Sequence, residues 1–210
     1  MVSKEDFYQA LVDRHGIENQ KKFDDATVAI CGLGGLGSNI AISLARVGVG
    51  HLILIDFDAV DVTNLHRQQY KMAQVGMPKT DALKENLLEI NPFIKIDTYQ
   101  VELTEENTPS LIKDADVICE AFDKPECKAM LTDIVFTNYP EKYLVSSSGM
   151  AGMASSNDIV TRKITSHFFL SGDGVSDVNL GIGLVAPRVM ICAGHEAHMV
   201  IRILMGEINP

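Results

Sequence analysis

The sequence has no tryptophan, few aromatic residues (6%), four cysteines, and 18 Lys and Arg against 28 Asp and Glu, a formal net charge of −10. Each shortage excludes something. A basic nucleic-acid binder needs clustered cations and a high pI, and the same deficit disfavours anionic membrane surfaces. Long apolar runs are missing too. The most apolar stretch, residues 40–55, is broken by Arg46, His51 and several Gly or Ser residues, and falls short of the roughly 20 apolar residues of a membrane span. Cys31, Cys119, Cys127 and Cys192 form no close pair, and two of them lie in apolar strand-like runs. A disulfide framework is therefore not expected, and a reducing cytoplasm is the natural setting. The opening Met-Val-Ser-Lys-Glu-Asp is followed by no apolar run, so no signal peptide is expected.

What is present is 46% hydrophobic and 22% charged residues, the balance of one ordinary domain with one core. From Ala26 onward, short β-branched runs alternate with helix-period segments, the pattern of βαβ units. Strands are predicted at Thr27–Cys31, His51–Ile55, 94–100, 116–120, Tyr143–Ser147 and 159–164. Ile40, Leu44 and Val47 share one helical face, as do Leu83, Leu87 and Ile90. The fold expected is α/β: a doubly wound, mostly parallel sheet of Rossmann type, with helices on both faces and an added C-terminal antiparallel portion. A small-residue loop follows Ser148, a glycine-rich loose segment covers 171–183, and a final apolar helix is predicted over 187–205.

Gly32-Leu33-Gly34-Gly35-Leu36-Gly37-Ser38 follows a predicted strand and opens a helix. In that context Gly32 permits a tight turn, Gly34 lets backbone approach a phosphate, Gly37 allows close packing, and the helix N-terminus offers free N–H groups to an anion. Asp56 ends the next strand, where a carboxylate can accept from ribose hydroxyls. The bland alternative is a glycine-rich turn without a ligand. The fingerprint alone suggests a dinucleotide and an NAD(P)-dependent oxidoreductase. The long polar loop after Asp56 argues for a triphosphate instead, because Arg67 and Lys79 supply more positive charge than a pyrophosphate bridge needs. Each also has a plainer reading, Arg67 as a solvated partner of Asp61 and Lys79 as a solvated neighbour of Asp81. Asp123, after the apolar run Val117-Ile118-Cys119-Glu120-Ala121-Phe122, is placed either to hold Mg²⁺ against phosphate oxygens or to cap a helix beginning Lys-Pro-Glu.

Taken in order, Gly-x-Gly-Gly-Leu-Gly-Ser, Asp-Phe-Asp, Asn-Leu-His-Arg-Gln, Gly-Met-Pro-Lys and Asp123 after an apolar strand resemble the ThiF, MoeB and ubiquitin-activating enzyme family, over about residues 14–206. The compact chain is most similar to short bacterial ThiF-type adenylyltransferases of thiamine biosynthesis. The resemblance implies a single adenylating domain over 1–210, with a nucleotide-binding half at about 26–148 and a carrier-binding and dimer half at about 149–206. It implies ATP and Mg²⁺ as cofactors, a homodimer, and a small ubiquitin-fold sulfur carrier (ThiS-like, or alternatively MoaD-like) as partner. The carrier's Gly-Gly carboxylate would receive AMP. The nucleotide-binding set implied is Gly32, Gly34, Gly35, Gly37, Asp56, Asp58, Asn64, Arg67 and Lys79. Lys79 would neutralise charge on the α-phosphate and leaving pyrophosphate, Asp123 would bind the metal, and Arg14 would act as an arginine finger on the neighbouring subunit's ATP.

Attack of a carboxylate on a phosphate joins two anions, so positioning and charge neutralisation suffice and no strong general base is needed. Structural zinc, which many relatives hold with two Cys-x-x-Cys pairs, is not expected, since no such pair exists here. Cys31 and Cys119 are expected in the core, and the covalent cysteine step of some relatives is expected to be absent. Cys192, His195, Glu196 and His198 crowd one helix without the spacing of a zinc protease. The segment 171–183 is a candidate cover for a carrier's extended tail. A non-catalytic scaffold that binds nucleotide or carrier without transfer is the remaining alternative.

Overall fold

The computed structural model describes residues 2–179 and 181–210. Two helices, α1 (Lys4–His15) and α2 (Ile17–Asp25), precede β1 (Thr27–Cys31), α3 (Gly35–Val47) and β2 (His51–Ile55). Then come α4 (Lys79–Ile90), β3 (Lys95–Tyr99), α5 (Thr108–Ile112), β4 (Val117–Glu120), α6 (Pro125–Asn138) and β5 (Tyr143–Ser147). The chain closes with β6 (Val160–Lys163), β7 (Phe168–Gly172) and α7 (Ala186–Met205). The seven strands form one sheet in the order β3-β2-β1-β4-β5-β7-β6, parallel throughout except for the antiparallel β6–β7 pair. This is the doubly wound sheet with a C-terminal antiparallel pair that the strand pattern predicts.

The central strands are apolar on both faces, and successive residues feed two cores. Val28, Ile30, Leu52, Leu54 and Val117 pack beneath α3, α4 and α7, while Ala29, Cys31, Ile53, Ile55 and Ile118 pack against α5 and α6. That is why β1, β2 and β4 read as continuous β-branched runs rather than alternating ones. Each buried Leu or Ile contributes about 1.5–3 kcal/mol, and the pattern fixes register, because a slip of one residue would exchange the two cores. The order of β1 relative to β2 and β4 reverses the winding at β1, and the crevice past its carboxyl end is where such sheets bind ligands.

Three elements depart from the sequence reading. β7 takes the start of the segment expected to be loose: Ser171 pairs with both β5 and β6, Gly172 pairs with β6, Ser171 is buried, and of the rest of that segment Leu180 lies outside the described residues. The Phe-Phe-Leu run before Ser-Gly is short, and its register on β5 supplies what local propensity does not. The N-terminal helices were not predicted. Ser3 and Asp6 form a reciprocal capping box, with Ser3 Oγ accepting from Asp6 N–H at 3.0 Å and Asp6 accepting from Ser3 N–H at 3.3 Å. Asp123 does not cap α6: Lys124 holds the N-cap position, without a side-chain cap.

Candidate nucleotide site

The chain leaves β1 at Gly32, whose φ of +94° only glycine adopts without strain, and a Cβ there would stand 2.8 Å from the Ala121 carbonyl oxygen. Gly34 occupies the N-cap of α3 and offers no capping side chain, so the first-turn N–H groups of the helix have no partner from that position. At Gly37 a Cβ would overlap the Gly32 carbonyl and press on Ile30. Its role is therefore to let the first turn fold back on its own loop. Gly35 faces Arg67 and Val189, with a Cβ position 3.4 Å from Arg67 Cγ.

Asp56 follows β2 and is largely buried, accepting from Leu33 N–H at 2.6 Å and from Asp58 N–H at 2.8 Å. It braces the glycine loop from below. Burial pushes its carboxyl up from the ordinary range, while Lys79 and the two N–H donors pull it down. Lys79, the first residue of α4, is only 5% exposed and donates to Asp58 at 2.6 Å, with Asp56 at 3.8 Å. It is thus no neighbour of Asp81 in solvent but a buried cation held between two carboxylates of the Asp-Phe-Asp stretch.

Arg67 likewise leaves Asp61 alone, since Asp61 accepts from the Thr63 N–H at 2.7 Å. Arg67 donates through Nη2 to Asn64 Oδ1 at 2.8 Å, and its Nε is buried with no hydrogen-bond partner. Burial lowers its pKa, and the carboxylate of Asp123 opposes that shift. Arg67, oriented by Asn64 and within the field of Asp123, therefore lies against Gly35 of the glycine loop. Behind them, Asn39 donates to the carbonyls of Gly35 at 2.6 Å and Arg67 at 3.3 Å, and Gln69 donates to Asn39 at 2.7 Å, locking the polar loop to α3.

Two residues at this site went unassigned in the sequence. Gln68 is buried with its Oε1 unpartnered, and its amide nitrogen lies 3.8 Å from where a Gly34 Cβ would be. Tyr70 donates to the Leu33 carbonyl at 2.7 Å. The signal for Gln68 was its place directly after Arg67. Tyr70 carried no signal, because only the tertiary contact gives it a task.

Arg14 stands apart from this set. It is exposed on α1 and lines a groove of about 480 Å³ with Phe23, Val47, His198 and Met205. The groove meets α3 at Ser43 to Val47, at least about 12 Å along the helix from Gly35 at 1.5 Å per residue.

The crowded C-terminal helix does not converge either. Cys192 and Glu196 are buried, His195 meets Thr161 at 3.1 Å, and His198 faces the groove. Among the described residues no group of three or more His, Cys, Asp or Glu is arranged to hold a metal, and all four cysteines are free. A single carboxylate such as Asp123 nevertheless suits Mg²⁺, which takes one or two protein carboxylates and completes its shell with phosphate oxygens and water. No helix among the described residues is long and apolar enough to cross a membrane.

Glu196 is fully buried with neither oxygen hydrogen-bonded. Burial first, then the neighbouring Glu120, pushes its pKa up to about 8, with Lys128 offsetting part of the shift.

A parallel sheet reversing at β1, with a glycine loop, a helix N-terminus and two cations at its carboxyl edge, defines a doubly wound α/β fold with a candidate anion-binding crevice at its switch point. The ThiF family pattern matches residues 8–210, and the chain belongs to the ThiF family. It is 34% identical over 143 residues to the adenylyltransferase and sulfurtransferase MOCS3 of Culex quinquefasciatus, covering 68% of this chain and 32% of that protein. Identity is 35% over 144 residues to the adenylyltransferase and sulfurtransferase UBA4 of Lodderomyces elongisporus, covering 68% and 31%. The chain thus spans about a third of the length of these relatives. In fold it matches the Escherichia coli tRNA N6-threonylcarbamoyladenosine dehydratase TcdA in complex with ATP, with a TM-score of 0.87 at 21% identity, covering 99% of this chain and 98% of that one. The E. coli protein MccB, solved with MccA-N7isoASN, gives 0.75 at 20% identity, covering 95% and 66%.

Proposed function

We propose that the protein is an ATP-dependent adenylyltransferase that activates the C-terminal Gly-Gly carboxylate of a small ubiquitin-fold sulfur carrier. The observation that carries this reading is Arg67: a guanidinium oriented by Asn64, with a buried, unpartnered Nε, facing the glycine loop and Asp123. A buried donor without a partner is costly, and a phosphate oxygen is the partner its chemistry suits. A ThiS-like carrier of thiamine biosynthesis is the first choice and a MoaD-like carrier the alternative.

In this reading the first-turn N–H groups of α3, with Gly32, Gly34, Gly35 and Gly37 clearing the approach, receive the phosphates. Asp56 and Asp58 flank the ribose, Asn64 and Arg67 hold the phosphates, and Asp123 would hold Mg²⁺, which would supply charge neutralisation beside the phosphates. A carrier carboxylate oxygen attacks the α-phosphorus, the bond to the oxygen bridging the β-phosphate breaks, and no proton moves. Lys79 exchanges its ion pair with Asp58 for the α-phosphate, bringing a positive charge to where negative charge develops. Arg14, remote from its own chain's glycine loop, serves the partner's site in a homodimer.

Exposed apolar side chains stand on the connections between β5 and β6 (Met153, 74% exposed) and between β7 and α7 (Val175, Ile182) and in the first turns of α7 (Met190). They suit an extended, small-residue tail. Mass spectrometry of a Gly-Gly-ended carrier incubated with the protein and ATP tests the reading: an acyl-adenylate on the carrier terminus is expected. Adenylation of a tRNA nucleoside or of a peptide alone would replace it, and nicotinamide turnover would return the oxidoreductase reading.

A further inference from the structure

Glu120 ends β4 with its carboxylate fully buried at the carboxyl edge of the sheet. Lys128 reaches both of its oxygens at 3.0 Å, the Phe122 N–H donates to Oε1 at 2.7 Å, and the Ser146 hydroxyl donates to Oε2. A buried carboxylate satisfied on every side is rigid, and a half-satisfied one would be strongly destabilising.

What this cluster fixes is the turn that follows it. Ala121 N–H donates to the Cys31 carbonyl at 2.9 Å, and the Ala121 carbonyl and the Phe122 ring lie 2.8 and 3.2 Å from the Cβ position of Gly32. The turn is therefore wedged between the glycine loop and the Glu120 carboxylate, and Asp123, the next residue, is the carboxylate whose field reaches Arg67. Asp123 caps no helix, so its placement is inherited from Phe122. Lys128 closes the arrangement from α6.

We propose that Glu120 and Lys128 are positioning residues that hold the 121–124 turn, and with it Asp123, against the glycine loop and Arg67, and thereby set how much magnesium strengthens ATP binding. This rests on the reading of Asp123 as the metal carboxylate. It assigns work to two charged residues that touch neither nucleotide nor metal.

The test is calorimetry of ATP binding with and without Mg²⁺, together with hydrogen exchange at the Phe122 amide. In Lys128→Met the gain in affinity from Mg²⁺ is expected to fall about tenfold, while magnesium-free affinity changes less than about twofold. Phe122 exchange should accelerate, Lys128→Arg should restore both values, and Lys128→Met should cost nothing further in an Asp123→Asn background. Should Lys128→Met fail to fold around an unpaired Glu120, the neutral pair Glu120→Gln with Lys128→Met must show the same selective loss. Equal losses with and without Mg²⁺, or full additivity with Asp123→Asn, would overturn the proposal while leaving Asp123 in place. If Asp123→Asn itself leaves the magnesium gain unchanged, the reading of Asp123 falls, and the positioning role falls with it.

Discussion

Replacing Glu196 by Gln should leave stability nearly unchanged near pH 4 and stabilise the protein increasingly as pH rises from there to about 8. The folded carboxyl holds its proton to about pH 8, because it is buried, faces Glu120, and makes no hydrogen bond. In the unfolded chain it releases the proton near the ordinary glutamate value of about 4.3. Between those values the folded state binds one proton more than the unfolded state, so this group's contribution to stability is complete below about pH 4 and is lost as pH rises to about 8, at up to about 1.4 kcal/mol per pH unit. Over the whole window the loss is on the order of a few kcal/mol, a large share of the ~5–15 kcal/mol that holds a domain folded. Glutamine has the same shape and no charge to release. Urea unfolding at intervals from pH 5 to pH 8.5 measures the difference, with the m-value checking that the unfolded state is unchanged. The difference between variant and parent should grow steadily in the variant's favour with rising pH. Parallel stability curves would refute the reasoning and mean that Glu196 is ionised and paired in the folded protein.

The other predictions concern the nucleotide site. Lys79→Ala should lower adenylation by at least about tenfold while the chain still folds, as expected when a positive charge is removed from where negative charge develops; circular dichroism and ATP–pyrophosphate exchange measure the two halves of that statement. Gly37→Ala sets a methyl group against the Gly32 carbonyl and should cost about 1–3 kcal/mol in denaturant unfolding along with ATP affinity. Mixing Arg14→Ala with Lys79→Ala protein should recover roughly a quarter of wild-type exchange, since half the dimers are mixed and each carries one intact site; no recovery would place Arg14 in its own chain's site, and full activity of Arg14→Ala alone would place it outside catalysis.

How much of this was visible in sequence follows from which interactions are local. The glycine loop, β1 and β2 were legible because strand period, turn chemistry and helix start all fall within one stretch. Lys79 could be placed in the first turn of a helix, but not as a cation enclosed by Asp56 and Asp58, because that enclosure depends on the long connection between β2 and α4 bringing its two ends together. Gln68 and Tyr70 point at the loop only after the polar segment folds back over α3. β7 escaped notice because its pairing with β5, not its composition, makes it a strand. The Glu120 and Glu196 carboxyls were invisible as a pair: they lie far apart in sequence and meet only where α7 crosses β4 and β5. The capping box of α1 was the one missed feature written locally, in Ser3 and Asp6.

Carrier-dependent adenylation is tested most directly by ATP–pyrophosphate exchange with a ubiquitin-fold carrier present, absent, or shortened by its two terminal glycines. Exchange should appear only with the intact Gly-Gly carboxylate and fail in Lys79→Ala. ATP binding without exchange for any carrier would contradict the account.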